Sequence, residues 1–173
     1  MENENIVSFK LADTKDSKLI SELIGKSFKN QVDILGIRKE EYPNYVAFET
    51  AEGVKERIYK GDVIIIAYLK DEPIGTVSFN IDSNQVYKGY IKRLAVIPEF
   101  RGYGYGNMLM DDTEMKLKER GVTLVELSLV AQFEKLQRFY ERLGYTAKEK
   151  KFVSSLPFEI LFMEKVIGIS KKD

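Results

Sequence analysis

Apolar and polar residues alternate at the start of the chain, where Ile6 to Leu11 reads I-V-S-F-K-L and predicts an edge strand. Asp13 or Asp16 then caps a helix carrying Leu19, Ile20, Leu23, Ile24 and Phe28 on one face. Residues 30–50 lose the pattern, with Tyr42-Pro43 breaking any helix, and predict a short second helix or a substrate-facing loop. A helical period returns from Thr50 to Lys60 through Val54 and Ile58 and ends at Gly61, which tolerates a left-handed cap. Val63 to Leu69 is a continuous apolar run, Asp71-Glu72-Pro73 reads as a turn, and Ile74 to Ile81 is β-branched and aromatic. The two runs predict a hairpin. Tyr87 to Ile97 supplies the next strand.

Gly104 to Arg120 has a helical period, with Gly106, Met110, Thr113 and Leu117 aligned, and Gly121 closes it. Thr123 to Val130 reads as a strand. Phe133, Leu136, Phe139, Tyr140 and Leu143 form the apolar face of a last helix ended by Gly144. Closing strands are expected about Tyr145 to Lys151 and Glu159 to Val166, with a frayed tail from Ser170. The order is β-α-α-β-β-β-α-β-α-β-β, in which the helix between Ile97 and Thr123 is long enough to join parallel strands. The basic run Lys148 to Lys151 fits a solvated hairpin edge.

Composition narrows the chemistry. The 173 residues suit one domain, 1–173, with a core about 6–166; 44% are hydrophobic and 31% charged, as in ordinary globular proteins. Twenty-seven basic residues balance 27 acidic ones, and no basic run interleaves with aromatics, so nucleic acid is not an expected partner. The first residues, Met1 to Asn5, are polar and acidic, and no stretch reaches the roughly 20 apolar residues of a membrane span. A cytoplasmic location without membrane contact is expected. Cysteine and histidine are absent, which removes thiol nucleophiles, imidazole bases and the commoner metal sites, and no metal is expected.

The strand I-K-R-L-A-V leads through Ile97-Pro98-Glu99-Phe100 into R-G-Y-G-Y-G at Arg101 to Gly106, and a helix begins at once. Strand, glycine loop and helix together present free N–H groups and the positive end of a helix dipole to an anion, such as the pyrophosphate of a nucleotide-bearing cofactor. Glycines 102, 104 and 106 remove Cβ atoms from the approach, and Arg101 adds a positive charge. The spacing fits neither G-x-G-x-x-G nor the G-K-[ST] ending of a P-loop.

R-x-x-G-x-G after a strand ending L-A-V-x-P resembles the GNAT superfamily of N-acetyltransferases, and the resemblance extends over residues 6–166 to F-Y-E-R-L-G-Y at Phe139 to Tyr145. It implies a mixed, mostly antiparallel α/β (α+β) sheet whose parallel fourth and fifth strands splay apart around the pantetheine arm of acetyl-CoA. It further implies cofactor contacts at Leu94, Ala95 and Val96 and at Arg101, Gly102, Tyr103, Gly104, Tyr105, Gly106 and Asn107, with Tyr140 as general acid. The implied reaction is direct attack of a primary amine on the thioester in a ternary complex, with an N–H near Leu94 to Val96 polarising the carbonyl.

Two positions depart from the family pattern. Tyr90 stands where many relatives carry an acidic base, and Phe133 stands where many carry a cofactor-binding asparagine. Glu126, Ser128, Glu40, Glu41 and Glu49 are the remaining candidates for a base, alongside a water relay. Phe28, Tyr42, Tyr45, Phe48, Glu40, Glu41, Phe158 and Glu159 are candidate contacts for a small-molecule or protein amine. A non-catalytic acyl-CoA-binding module is the alternative reading, and a homodimer is open to either.

Overall fold

The computed structural model describes residues 6–168, so the expectations for Met1 to Asn5 and for the tail from Ser170 lie outside the described residues. Its element order is the expected one: β1 (Val7–Leu11), α1 (Ser17–Leu35), α2 (Ala51–Tyr59), β2 (Val63–Leu69), β3 (Glu72–Ile81), β4 (Lys88–Val96), α3 (Tyr105–Glu119), β5 (Leu124–Val130), α4 (Glu134–Arg142), β6 (Thr146–Phe152) and β7 (Glu159–Val166). The seven strands follow the order β1-β2-β3-β4-β5-β7-β6, with β1 at one edge and β6 at the other. Strand β4 runs parallel to β5, pairing Lys88, Gly89 and Tyr90 with Leu124, Val125 and Glu126, while β1–β2, β5–β7 and β6–β7 are antiparallel. This is the mixed, mostly antiparallel arrangement expected.

Two boundaries differ from the sequence pattern. Helix α1 continues past Phe28 to Leu35 and closes at Gly36 in the left-handed conformation, φ 63°, so residues 30–35 are helical. The apolar stripe thins in that last stretch, and an i,i+4 pair, Lys29 to Asp33 at 3.0 Å, lies on its surface instead. The β2–β3 turn sits at Lys70-Asp71, where Lys70 takes φ 57°, and Pro73 lies inside β3 near its start, a position that costs no essential ladder bond. Asp13 caps a short turn at Thr14–Asp16 by accepting from the Lys15 N–H, and the Asp16 carboxylate accepts from the Asp13 N–H in return.

The described chain divides into two compact units, residues 6–78 with 93–113, and residues 79–92 with 114–168. The first holds a core of Ile20, Leu23 and Ile24 from α1, Val54 from α2, Ile64 and Ile66 from β2, and Ala95 and Ile97 at the end of β4. In the second, β5 is the central strand, with Val125, Leu127, Leu129 and Val130 buried and a full antiparallel ladder to β7. Strand β6 is exposed at every position, as expected of a solvated edge. Its register shifts between Ala147 and Glu149, which frees Lys148 to reach Glu126 at 3.0 Å. Among the described residues no helix is long and apolar enough to cross a membrane.

Candidate active site

The loop from Arg101 to Gly106 is built on the end of β4. Ile97 donates its N–H to the Ile74 carbonyl at 3.0 Å, and Pro98–Phe100 makes one 3-10 turn. The Arg101 guanidinium then donates to the Val96 carbonyl at 3.0 Å and to the Ser27 carbonyl, tying the loop to β4 and α1. Gly102 and Gly104 both take φ 84°, a conformation that L side chains rarely adopt, and open space faces each where a Cβ would stand. Helix α3 starts at Tyr105, and Met108 is the first N–H to close back, on the Gly104 carbonyl at 3.1 Å. The N–H groups of Tyr105, Gly106 and Asn107 therefore have no acceptor within the helix and remain available to an anion.

The two loop tyrosines differ. Tyr105 is buried against Phe100, whereas Tyr103 is exposed and stacks on Tyr105 with centroids 6.0 Å apart. Asn107 is exposed and Gly106 half-buried. Leu94 and Val96 are half-buried and Ala95 fully buried. The close passage of β3 under this strand requires Gly75, because a Cβ there would stand 2.5 Å from the Ala95 carbonyl oxygen. Leu94 to Val96 and Arg101 to Gly106 belong to the same compact unit.

Beside that strand lies a buried charge cluster. Arg57 of α2 grips both oxygens of Glu49, Nε to Oε1 at 2.7 Å and Nη2 to Oε2 at 2.9 Å, and its Nη1 reaches Asp62 at 3.0 Å and the Ser78 hydroxyl at 2.9 Å. Arg93 of β4 joins through Nη2, 3.5 Å from Glu49. Of this cluster the sequence singled out Glu49 alone. The visible signal for the rest is Lys92-Arg93, two adjacent charges where strand alternation expects one. Arg93 marks that break with a left-handed φ of 53°.

Tyr140 belongs to the second unit, on α4. It is buried, with its ring edge-on to Phe139 at 5.2 Å and to Tyr145 at 6.0 Å. Burial pushes its hydroxyl well above the ordinary tyrosine range, so it stays protonated at neutral pH. Tyr145 is fixed in turn, donating its hydroxyl to buried Glu114 at 2.9 Å, and Lys165 caps the same carboxylate at 2.8 Å. Phe133 sits at the start of α4 without a side-chain cap bond.

The candidate bases are mostly engaged. Glu126 lies between Lys88 at 3.1 Å and Lys148 at 3.0 Å; burial opposes its ionisation, but the two lysines outweigh burial and hold the carboxyl below its usual range. Tyr90 donates its hydroxyl to Asp82 at 2.8 Å. Glu49 is doubly gripped by Arg57, Glu41 pairs with Arg38, Glu40 is exposed, and Ser128 is exposed on β5. Tyr45, a candidate acceptor contact, is buried and donates to Gln31 at 2.9 Å, with Phe48 edge-on at 6.1 Å; Phe28 is packed against the first unit's core, and Tyr42 is half-buried. Phe158 and Glu159 line a cleft of about 310 Å³ with Ala131, Gln132 and Lys150. Among the described residues no group of side chains is suited to hold a metal.

Residues 32–145, more than half of the chain and inclusive of the loop, β4, β5 and Tyr140, match the model of the acetyltransferase (GNAT) family. The chain belongs to the GNAT family. A putative acetyltransferase of Bacillus subtilis (strain 168) is 30% identical over 98 residues, 56% of this GNAT chain and 63% of that relative. The chain therefore spans less than two thirds of that relative's length. Among solved structures, a putative GNAT acetyltransferase from Desulfovibrio desulfuricans superposes with TM-score 0.76 at 16% identity, covering 94% of this chain and 100% of that one. The PaiA N-acetyltransferase from Thermoplasma acidophilum, solved in complex with coenzyme A, gives 0.75 at 21% identity, covering 93% and 99%. At these identities the structures establish the GNAT fold.

Proposed function

We propose that this GNAT protein is an acetyl-CoA-dependent N-acetyltransferase that moves an acetyl group to a primary amine by direct attack in a ternary complex. The observation that carries the reading is the Arg101–Gly106 loop, where two left-handed glycines lead into the free N–H groups at the start of α3. A pyrophosphate held there would lie beyond the end of β4, and the acyl arm would run back along Leu94 to Val96. The PaiA relative's coenzyme A complex supports that choice of ligand.

The amine attacks the thioester carbonyl, and a backbone N–H of Leu94 to Val96 steadies the oxyanion. Collapse of the tetrahedral intermediate expels the coenzyme thiolate. Tyr140, protonated at neutral pH, donates a hydrogen bond to that thiolate, and the proton it passes on is replaced from solvent before the next turnover. The amine's own proton goes to water or to a carboxylate at the acceptor side.

The engagement of Glu126 by two lysines and of Glu49 by Arg57 favours a second reading, a coenzyme-binding module without turnover. One experiment separates the two. Calorimetry with acetyl-CoA tests the loop, and thiol release with a polyamine, an amino sugar, an amino acid and a peptide with a free N-terminus tests catalysis. Binding with thiol release supports the enzyme, binding without it supports the module, and no binding overturns both.

A further inference from the structure

Arg93 combines three unfavourable features. It is a non-glycine residue at φ 53° within a strand; its Nε is buried without a hydrogen-bond partner among the described residues; and its guanidinium is close enough to feel the like charge of Arg57. Among the described residues its ion pair is the 3.5 Å contact with Glu49. A residue keeps such a conformation only where its surroundings over-determine it, and such residues cluster at functional sites.

Those surroundings are the buried cluster. The side chains of Glu49 and Asp62 are only 7% and 6% exposed, and Arg57 holds both while bonding Ser78 on β3. Glu49 is thus fixed in position by Arg57 before it meets Arg93, and its carboxylate supplies the attraction that keeps the Arg93 side chain on this side of the strand. Arg57 and Arg93 thus share the cluster with Glu49 and Asp62. Its effect is geometric: a left-handed residue in a strand re-aims the residues that follow it, and the residues that follow are Leu94, Ala95 and Val96.

We infer that Glu49 and Arg57 are positioning residues that hold Arg93 in its left-handed conformation and so aim the N–H groups of Leu94 to Val96 at the thioester carbonyl. The inference rests on the proposed acetyl-CoA reading. It gives Glu49 a role other than that of a base, acting through Arg57 and Arg93 on the strand that receives the donor.

The test compares Arg93→Gly with Arg93→Val, and adds Glu49→Gln. Glycine accepts φ 53° without strain and valine resists it, while both remove the guanidinium. Coenzyme A affinity, read by calorimetry, falls far less than turnover in all three, because the loop at Arg101 to Gly106 still holds the pyrophosphate and only the arm along Leu94 to Val96 loses contact in Arg93→Val. In wild type and Arg93→Gly, the Leu94 amide signal in a nitrogen–proton correlation spectrum moves when acetyl-CoA replaces coenzyme A. In Arg93→Val it stays, and turnover with the best amine of the panel falls about a hundredfold, the scale expected for misplaced reacting groups. Glu49→Gln falls between.

Wild-type turnover in Glu49→Gln would overturn the inference, and equal losses in Arg93→Gly and Arg93→Val would assign the effect to the guanidinium itself and overturn it too. So would a Leu94 signal indifferent to the acetyl group in a wild-type protein that binds coenzyme A. A wild-type protein that binds no coenzyme at all defeats the functional reading first, which is a distinguishable outcome. Arg93→Gly and Glu49→Gln keep the comparison informative should Arg93→Val fold poorly.

Discussion

The hydroxyl of Tyr145 donates to the carboxylate of Glu114 at 2.9 Å, linking the residue before β6 to α3 in a buried setting. Lys165 of β7 completes the group at 2.8 Å. Removal of one partner weakens the compensation of the others. Tyr145→Phe is expected to cost about 1–2 kcal/mol, since Lys165 still serves the carboxylate. Glu114→Ala is expected to cost about 3 kcal/mol, because it strands both a lysine and a phenol. Urea denaturation of the two variants checks the order.

Gly104 and Gly121 share nearly the same backbone strain, φ 84° and 82°, but only the first lies in the loop. Alanine at either position should cost about 1 kcal/mol of stability. Gly104→Ala should also weaken acetyl-CoA binding at least about tenfold, equivalent to about 1.4 kcal/mol. Gly121→Ala should leave binding unchanged. Calorimetry on the pair separates strain from ligand approach.

Gly75→Ala places a Cβ 2.5 Å from the Ala95 carbonyl oxygen, a contact relieved only by moving β3 or β4. A loss of about 1–3 kcal/mol is expected from the overpacking. The Michaelis constant for acetyl-CoA should rise with it, because the displaced strand is the one assigned to the donor. Thermal melts and steady-state kinetics on one preparation test both effects.

Tyr140→Phe should lower kcat by about tenfold to a hundredfold, the range of a lost general acid, while the Michaelis constant for acetyl-CoA moves by less than about twofold. Because burial raises the hydroxyl's pKa, the wild-type enzyme should show no alkaline loss from this residue up to about pH 10, the ordinary tyrosine value. Wild-type kcat in the phenylalanine variant at every pH would remove Tyr140 from the mechanism.

Burial also pushes Tyr45 up to about 12. In the unfolded chain the same phenol ionises near its ordinary value of about 10, so above that pH the unfolded state binds fewer protons than the folded one. The contribution is therefore whole below about pH 10 and declines from there to about pH 12. Denaturation of wild type and Tyr45→Phe across that window should show a smaller decline in the variant.

Most elements were legible because burial in this fold is periodic. Strand β2 is an apolar run, β5 alternates buried Val125, Leu127 and Leu129 with Glu126 and Ser128, and the face of α1 from Ile20 to Ile24 repeats at helical spacing. The last turns of α1 were not legible, since Lys29 to Leu35 holds its helix with a surface ion pair and a left-handed glycine cap in place of an apolar stripe. Pro73 signalled a turn that the chain makes three residues earlier, at Lys70. The glycine loop was legible because a backbone cradle leaves a local glycine pattern. The Glu49–Arg57–Arg93 cluster was not, because ion pairing across elements imposes no spacing along the chain.

The stacked pair of Tyr103 and Tyr105 has a spectroscopic use. The chain contains no tryptophan, and the Tyr103 ring is 69% exposed on the glycine loop. Tyr103→Trp would put a single indole over Tyr105 in a protein otherwise dark at indole excitation wavelengths. Its emission would then report occupancy of the loop without a label, in real time, for every variant named above.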